Sequence, residues 1–368
     1  MFFGMERDKF PAVEGRGAQS AQVPDRFGLP GRETDGDWRD AMEALDGPPA
    51  KLRTTVIEEH PKTIVTFNQS PDIGFDRSIN AYRGCEHGCI YCFARPTHAF
   101  HDLSPGLDFE TKLFAKPQAA ALLRQTLAKP RYRPKPIAMG TNTDPYQPIE
   151  GRYGITRQVL EVCLETRHPV TITTKSDRVL RDLDLLRELA ARRLVAVAVS
   201  VTSLDPRLSR LLEPRAPAPA KRLAALGTLV EAGVPTHCSV APVIPAITDE
   251  FMEEIVASAG RLGVPSAGWI PLRLPYEVAP LFREWLLVHF PDRHDKVMGI
   301  VRSIRGGRDN DPGFVTRMRP SGVWADLFRA RFRLARKRAG MGKVRFELDC
   351  THFRPGGDAA QLPLFPEG

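Results

Sequence analysis

The sequence predicts an α/β protein built on a parallel sheet that curls into a partial (β/α)6 barrel. Three observations carry that expectation. Between residues 75 and 290, six short β-branched runs alternate strictly with six amphipathic stretches, and such alternation implies a parallel sheet with right-handed crossovers. Each run sets one branched, apolar face against one small or polar face, whereas the strands of a doubly wound sheet are apolar on both. The longest apolar run, about Leu194 to Val201 and broken only by Ser200, falls far short of the ~20 residues a membrane helix needs.

Taken in order, residues 1–50 are rich in Gly, Pro, Asp and Arg without a sustained period and read as an extended or disordered arm. Residues 51–290 form the barrel region. Its strands are expected at Ser78–Tyr82, Ile137–Thr141, Val170–Lys175, Leu194–Thr202, Thr236–Val243 and Ser266–Leu272. Helical stretches fall near 117–128, 155–166, 179–192, 219–232, 249–261 and 278–288. In the third strand Thr171, Thr173 and Lys175 share one face, with Val170 and Ile172 behind. In the fourth, Ala196, Ala198, Ser200 and Thr202 oppose four valines, and in the fifth His237, Ser239 and Ala241 oppose Cys238 and Val240. Small and polar inner faces suit a barrel that holds a ligand at the C-terminal ends of its strands.

Residues 291–352 form a basic extension and 353–368 a flexible tail. Within the extension, 321–339 reads as a helix with Trp324, Leu327, Phe328 and Ala335 inward and Arg329, Arg333 and Arg336 on another face. The chain of 368 residues carries a net charge of +8, but 300–345 alone holds thirteen basic residues against three acidic ones. A polyanion would therefore be met at the C-terminal end; the bland reading is a solvated face. A hydrophobic fraction of 42% excludes global disorder, and the absence of a secretory h-region after Met1 points to the cytoplasm, with no membrane association.

Three of the six cysteines crowd into Gly84-Cys85-Glu86-His87-Gly88-Cys89-Ile90-Tyr91-Cys92, just after the first expected strand. Three thiolates at C-x3-C-x2-C spacing can each take one iron of a cubane and leave the fourth iron without a protein ligand. The other reading is structural zinc, with His87 or His98 as fourth ligand. Cys163 and Cys238 fall on apolar faces and read as core.

This loop, with an aromatic residue just before the third cysteine and a place after strand one of a six-fold β/α array, resembles the signature of the radical S-adenosylmethionine (SAM) enzymes. The resemblance covers roughly residues 75 to 290. It implies a partial (β/α)6 radical SAM barrel in which Cys85, Cys89 and Cys92 hold a 4Fe–4S cluster and S-adenosylmethionine chelates its open iron. One-electron reduction, from a flavodoxin or ferredoxin type of donor, would cleave the cofactor to methionine and a 5′-deoxyadenosyl radical that takes hydrogen from a substrate. By the same resemblance the backbone beside Tyr91 lies near the adenine, and Gly140, Thr141 and Asn142 stand where the methionine amino group is met. Lys175 is the cation for the methionine carboxylate, and Ser200 and Thr202 offer hydroxyls to the ribose.

Within that family, Gly140-Thr141-Asn142-Thr143-Asp144-Pro145-Tyr146, Thr174-Lys175-Ser176 and Leu212-Glu213-Pro214 look like the spore photoproduct lyase branch. Those lyases reverse a thymine–thymine photoproduct in DNA and carry a hydrogen-donating cysteine at the end of strand two. Here that stretch is Met139-Gly140-Thr141-Asn142. The expectation is thus a lyase-like radical SAM enzyme, with repair or modification of nucleic acid as its task. The rivals are a small-molecule or protein substrate, and a non-enzymatic iron–sulfur or zinc module. Near the C-terminus, Gln361-Leu362-Pro363-Leu364-Phe365 resembles the peptide by which bacterial repair proteins bind the replication sliding clamp; docking onto the barrel itself is the other reading.

Overall fold

The computed structural model describes residues 13, 15–22, 53–342, 344 and 346–355; the peptide Gln361–Phe365 and most of the arm lie outside them. Two short strands, β1 (Thr55–Glu58) and β2 (Val65–Phe67), precede β3 (Arg77–Ile79) and β4 (Tyr82–Arg83). After the cysteine loop come α1 (Leu107–Thr111), β5 (Lys112–Ala115) and α2 (Ala119–Leu127). The β/α series then runs β6 (Ile137–Met139), α3 (Glu150–Tyr153), α4 (Ile155–Glu165), β7 (Val170–Thr174), α5 (Leu183–Ala191) and β8 (Val195–Ser200). It continues through α6 (Pro206–Leu212), α7 (Pro219–Glu231), β9 (Thr236–Val243), α8 (Met252–Arg261) and β10 (Ser266–Pro271). Three helices close the chain: α9 (Val278–His289), α10 (His294–Ser303) and α11 (Val323–Arg338).

The main sheet has the order β10-β9-β8-β7-β6-β3-β2. Its neighbours are parallel from β3 through β10, and β2 runs antiparallel against β3. The expected partial barrel is therefore present. Its register aligns Thr173 with Ala198 and Ala198 with His237, and above them Ser200 with Ser239 and Ser239 with Gly268. These rows are too small to fill the interior, and Thr173 remains exposed within it. Behind them Ile172, Val197, Val199 and Cys238 pack into the main core with the outer helices. The small inner faces leave an open lumen.

Four expectations need correction. The strand expected over Ser78–Tyr82 is two: β3 ends at Ile79, and β4 belongs to a separate sheet of order β1-β5-β4. Asn80 makes the break, because its side chain turns to accept from the Asn142 amide at 3.1 Å. The sixth helix, expected near 278–288, does not flank the barrel. It packs beside Ile90, Leu212 and Ile244 in a second core above the strand ends. Its place on β10 is taken by α11, whose Phe328 and Phe332 meet Trp269. The inner stripe of α11 is consequently Ala325, Phe328, Phe332 and Ala335, and Trp324 and Leu327 are 39% and 43% exposed. Lastly, the helix's basic face is partly consumed: Arg329 pairs with Asp326, and Arg336 donates to the Gly342 carbonyl.

After α11 the chain crosses the N-terminal end of the barrel. Met341 enters the main core, the Asp349 amide bonds the Arg193 carbonyl at 2.9 Å and the Arg354 amide bonds Thr166 at 2.8 Å. Phe353 packs on Tyr132 and His168. Cys350, half-buried in this strap, stands at the end of the barrel opposite the cysteine loop. No helix among the described residues is long and apolar enough to cross a membrane.

Candidate active site

Cys85, Cys89 and Cys92 lie in the loop after β4, above the C-terminal ends of the barrel strands. Cys85 and Cys89 are buried and Cys92 is half-buried, all as free thiols. Two side chains hold the start and the back of this loop. Gln147 accepts from the Glu86 amide at 2.9 Å and donates to the Gly84 carbonyl at 3.1 Å. Arg95, wholly buried, donates to the carbonyls of Cys89, Gly88, Pro105 and Gly106, and pairs with Glu110 at 2.5 Å. A loop so tied presents its thiols from a fixed backbone.

Burial pushes the Cys85 thiol well up, and Asp144, Cys89 and Cys92 add to the rise, so the three sulfurs share one neighbourhood. Burial likewise lifts Cys89 to about 12, against the pull of Lys175. Ligation by metal would displace those protons. Among the described residues no three His, Cys, Asp or Glu side chains converge as a single ion requires. A cubane asks for no such point, because each thiolate takes its own iron. The two histidines considered for zinc are engaged elsewhere: His98 Nε2 meets the Lys112 carbonyl at 2.8 Å, and His87 faces Asp144 at 3.4 Å. The donor set fits a three-cysteine cubane.

Beside the thiols lies a buried polar group. The Tyr91 hydroxyl donates to Glu213, which also pairs with Arg222. Thr202 Oγ1 stands 2.8 Å from the same carboxylate and 3.0 Å from the Ala241 carbonyl. Burial alone would raise Glu213, but Arg222 and Lys175 outweigh it and hold its carboxyl at about 2. Lys175 Nζ sits 5.7 Å from the centre of the Tyr91 ring. Burial pulls this ammonium down, but Cys89 and Glu213 more than restore it, so it stays protonated.

The stretch expected to meet the methionine amino group forms a turn against the strand ends. Gly140 has φ +85°, and a Cβ there would stand 1.9 Å from the Thr173 carbonyl, so only glycine fits. The Thr143 hydroxyl donates to the Tyr82 carbonyl at 3.1 Å. Asp144 accepts from the Thr174 hydroxyl and the Lys175 amide, both at 2.7 Å. Lys175, Ser200, Thr202 and the 140–142 turn thus stand at the strand ends on the side of the cysteine loop. Met139 is turned into the core, and Cys163 and Cys238 are in the core too, so none of them faces the lumen.

The segment of 79–259 matches the radical SAM superfamily. Those residues form a radical SAM domain. Members of that superfamily use a 4Fe–4S cluster and S-adenosylmethionine. Over 223 residues the chain is 41% identical to uncharacterized proteins of Mycobacterium tuberculosis and Mycobacterium bovis, an alignment that takes in 59% of this chain and 65% of theirs. An uncharacterized protein of Methanocaldococcus jannaschii is 30% identical over 171 residues, 46% of this chain and 61% of that one. The chain also superposes on spore photoproduct lyase with a TM-score of 0.56 at 15% identity, covering 77% of this chain and 79% of that one. The same lyase complexed with a dinucleoside spore photoproduct gives 0.55 at 16%, with the same coverage. That likeness is one of fold.

Sequence reasoning missed Arg95, Glu110, Gln147 and Arg222, the groups that hold the loop. It also missed a pair at the mouth. Arg273, just beyond β10, lies over the ring of Phe93, the residue after Cys92, at 5.9 Å. Its buried Nε has no hydrogen-bond partner among the described residues. Arg317 lies 4.9 Å from the Phe314 ring and pairs with Asp72 at 2.6 Å. Phe93 and Phe314 are 52% and 60% exposed.

Proposed function

We propose that this chain is a radical SAM enzyme acting on nucleic acid, with Cys85, Cys89 and Cys92 as the cluster ligands. The observation that carries the reading is the meeting, at one mouth of an open lumen, of three thiols with Lys175 poised over Tyr91. When bound, the cluster would supply one electron to S-adenosylmethionine and so the means of abstracting hydrogen. The chain's own residues do the rest. Lys175 pairs with the methionine carboxylate, Ser200 reaches the ribose, and the 140–142 turn offers backbone to the amino group. Tyr91, kept protonated by burial and by Glu213, closes one wall.

The nucleic-acid part rests on Arg273 and Phe93, with the exposed Phe314 ring as a further stacking surface; Arg317 beside it is paired with Asp72. Exposed rings next to guanidinium groups suit unstacked bases and their phosphates. The observation favouring a small-molecule or protein substrate is the tying-up of Arg329 and Arg336 on α11, which weakens the case for a phosphate-binding helix face. A cytoplasmic setting with a flavodoxin or ferredoxin donor suits such a cluster, and clamp binding through Gln361–Phe365 rests on that sequence alone.

Anaerobic reconstitution tests the chemistry: ~4 irons per chain and reductant-driven formation of 5′-deoxyadenosine are expected. A colourless protein, or a cluster that never cleaves the cofactor, overturns it. Deuterium transfer from labelled single-stranded or photodamaged DNA into 5′-deoxyadenosine tests the substrate; transfer only from other compounds decides for the second reading.

A further inference from the structure

We infer that residues 15–22, expected to belong to a loose arm, form a working part of the cysteine loop, with Glu110 as the positioning residue between them. The inference rests on the proposed ligation of a cluster by Cys85, Cys89 and Cys92.

Glu110 is wholly buried. On one side its carboxylate pairs with Arg95, whose remaining donors grip the carbonyls of Gly88 and Cys89. On the other it accepts the backbone amides of Gly17 at 3.0 Å and Ala18 at 2.8 Å. The Arg16 guanidinium donates to the Glu110 carbonyl at 3.1 Å. A buried carboxylate facing one arginine still has acceptor sites to satisfy, and charge-assisted bonds from backbone amides are strong ones. The arm thus completes the group that fixes the thiol loop.

The contact with the loop is also steric. A Cβ on Gly17 would stand 1.9 Å from the Gly88 carbonyl oxygen, so backbone lies directly on backbone there. Ala18 is 0% exposed and packs with Cys89, Ile90 and Tyr91 in the second core. Beyond it the Leu107 amide bonds the Ser20 carbonyl at 3.0 Å, and the Ser20 hydroxyl reaches Glu284 at 3.0 Å. The arm runs from the cysteine loop to α9 and covers the loop's outer side. A covered loop opens less often, and each opening is a chance for iron to leave or oxidant to enter.

The test compares the full chain with a variant lacking residues 1–22 and with Gly17→Ala, which lifts the arm without touching Glu110 or Arg95. After anaerobic reconstitution, both variants are expected to take up the cluster. They should lose iron to excess bathophenanthroline at least tenfold faster than the full chain, with an altered electron paramagnetic resonance signal from the reduced cluster. Thermal unfolding of each apo-protein shows whether the barrel is intact. Release rates within twofold of the full chain, with the same spectrum, overturn the inference alone. If the full chain itself takes up no cluster, the ligation reading falls and takes this inference with it.

Discussion

The Tyr91 hydroxyl donates its hydrogen to Glu213, bridging 122 residues of sequence. The bond ties the cysteine loop to the segment between α6 and α7, where Arg222 keeps the carboxylate charged. Glu213→Gln should therefore leave the 1% exposed Arg222 without its counter-charge. Breaking one side of a buried pair costs about 3–5 kcal/mol, whereas Tyr91→Phe, which removes one bond to a charged group, should cost ~1.5–3 kcal/mol. Denaturant unfolding of the two apo-variants checks the order; a milder Glu213→Gln would contradict it.

Acid should loosen the same region. Glu213 and Asp144 are both held at about 2, in the second case because His87, Thr174 and the Lys175 amide outweigh burial. A carboxyl depressed in the folded state contributes stability that is fully present above its unfolded value and is lost as pH falls through the folded one. Stability of the apo-protein should then decline from about pH 4.5 to about 2. The profile of Glu213→Gln/Asp144→Asn should be flatter over that window, and parallel profiles would show that neither group is depressed.

Replacing Cys85, Cys89 or Cys92 by Ala should abolish iron uptake and cofactor cleavage. Cys163→Ala, in the main core, should keep both and lose about 1 kcal/mol of stability. Iron analysis with a melting curve separates the two classes, and a full cluster in any of the first three would sink the ligand assignment.

Lys175→Ala and Ser200→Ala should leave iron content unchanged while weakening S-adenosylmethionine binding. Loss of a charge-assisted bond costs ~1.5–3 kcal/mol, about ten- to more than a hundredfold in affinity. Calorimetric titration of the reconstituted variants measures it; unchanged affinity in both would mean that the cofactor lies elsewhere in the mouth.

At the mouth, Arg273→Ala should weaken binding of a single-stranded oligonucleotide more than Arg333→Ala does at the same salt concentration. Arg273 is half-buried beside an exposed ring, whereas Arg333 stands on the outer surface of α11. Fluorescence anisotropy across a salt series ranks them, and a larger effect from Arg333 would return the nucleic-acid contact to the helix.

The cysteine loop and the alternation of strands and helices were legible because spacing and period are local properties. Thr171, Thr173 and Lys175 share a face whatever surrounds them. What covers a face is not local. The periodicity of 278–288 announces an apolar stripe, yet cannot tell the wall of β10 from the second core above the strands. Along α11, Trp324 and Leu327 compete with Ala325 and Phe332 for the inner side, and Trp269 of β10 decides between them. Arg95 and Glu110 look like ordinary surface charges in sequence, since the carbonyls that satisfy them come from loops folded around them. The docked arm was hidden for the same reason: backbone amides bonded to a carboxylate more than ninety residues away leave no mark on composition.

The strap at 341–355 has a kinetic consequence. Its described residues bond the Thr166 and Arg193 carbonyls ahead of β7 and β8, and Phe353 packs on Tyr132 ahead of β6. With the strap across that end, the described residues leave the opposite end, where the thiols stand, as the way in for the proposed cofactor and substrate. In the proposed arrangement the cofactor would lie deeper, against the thiols and Lys175, with the arginine–aromatic pairs outside it. If the proposed chemistry holds, turnover would be ordered: S-adenosylmethionine first, the second reactant above it, and departure in reverse.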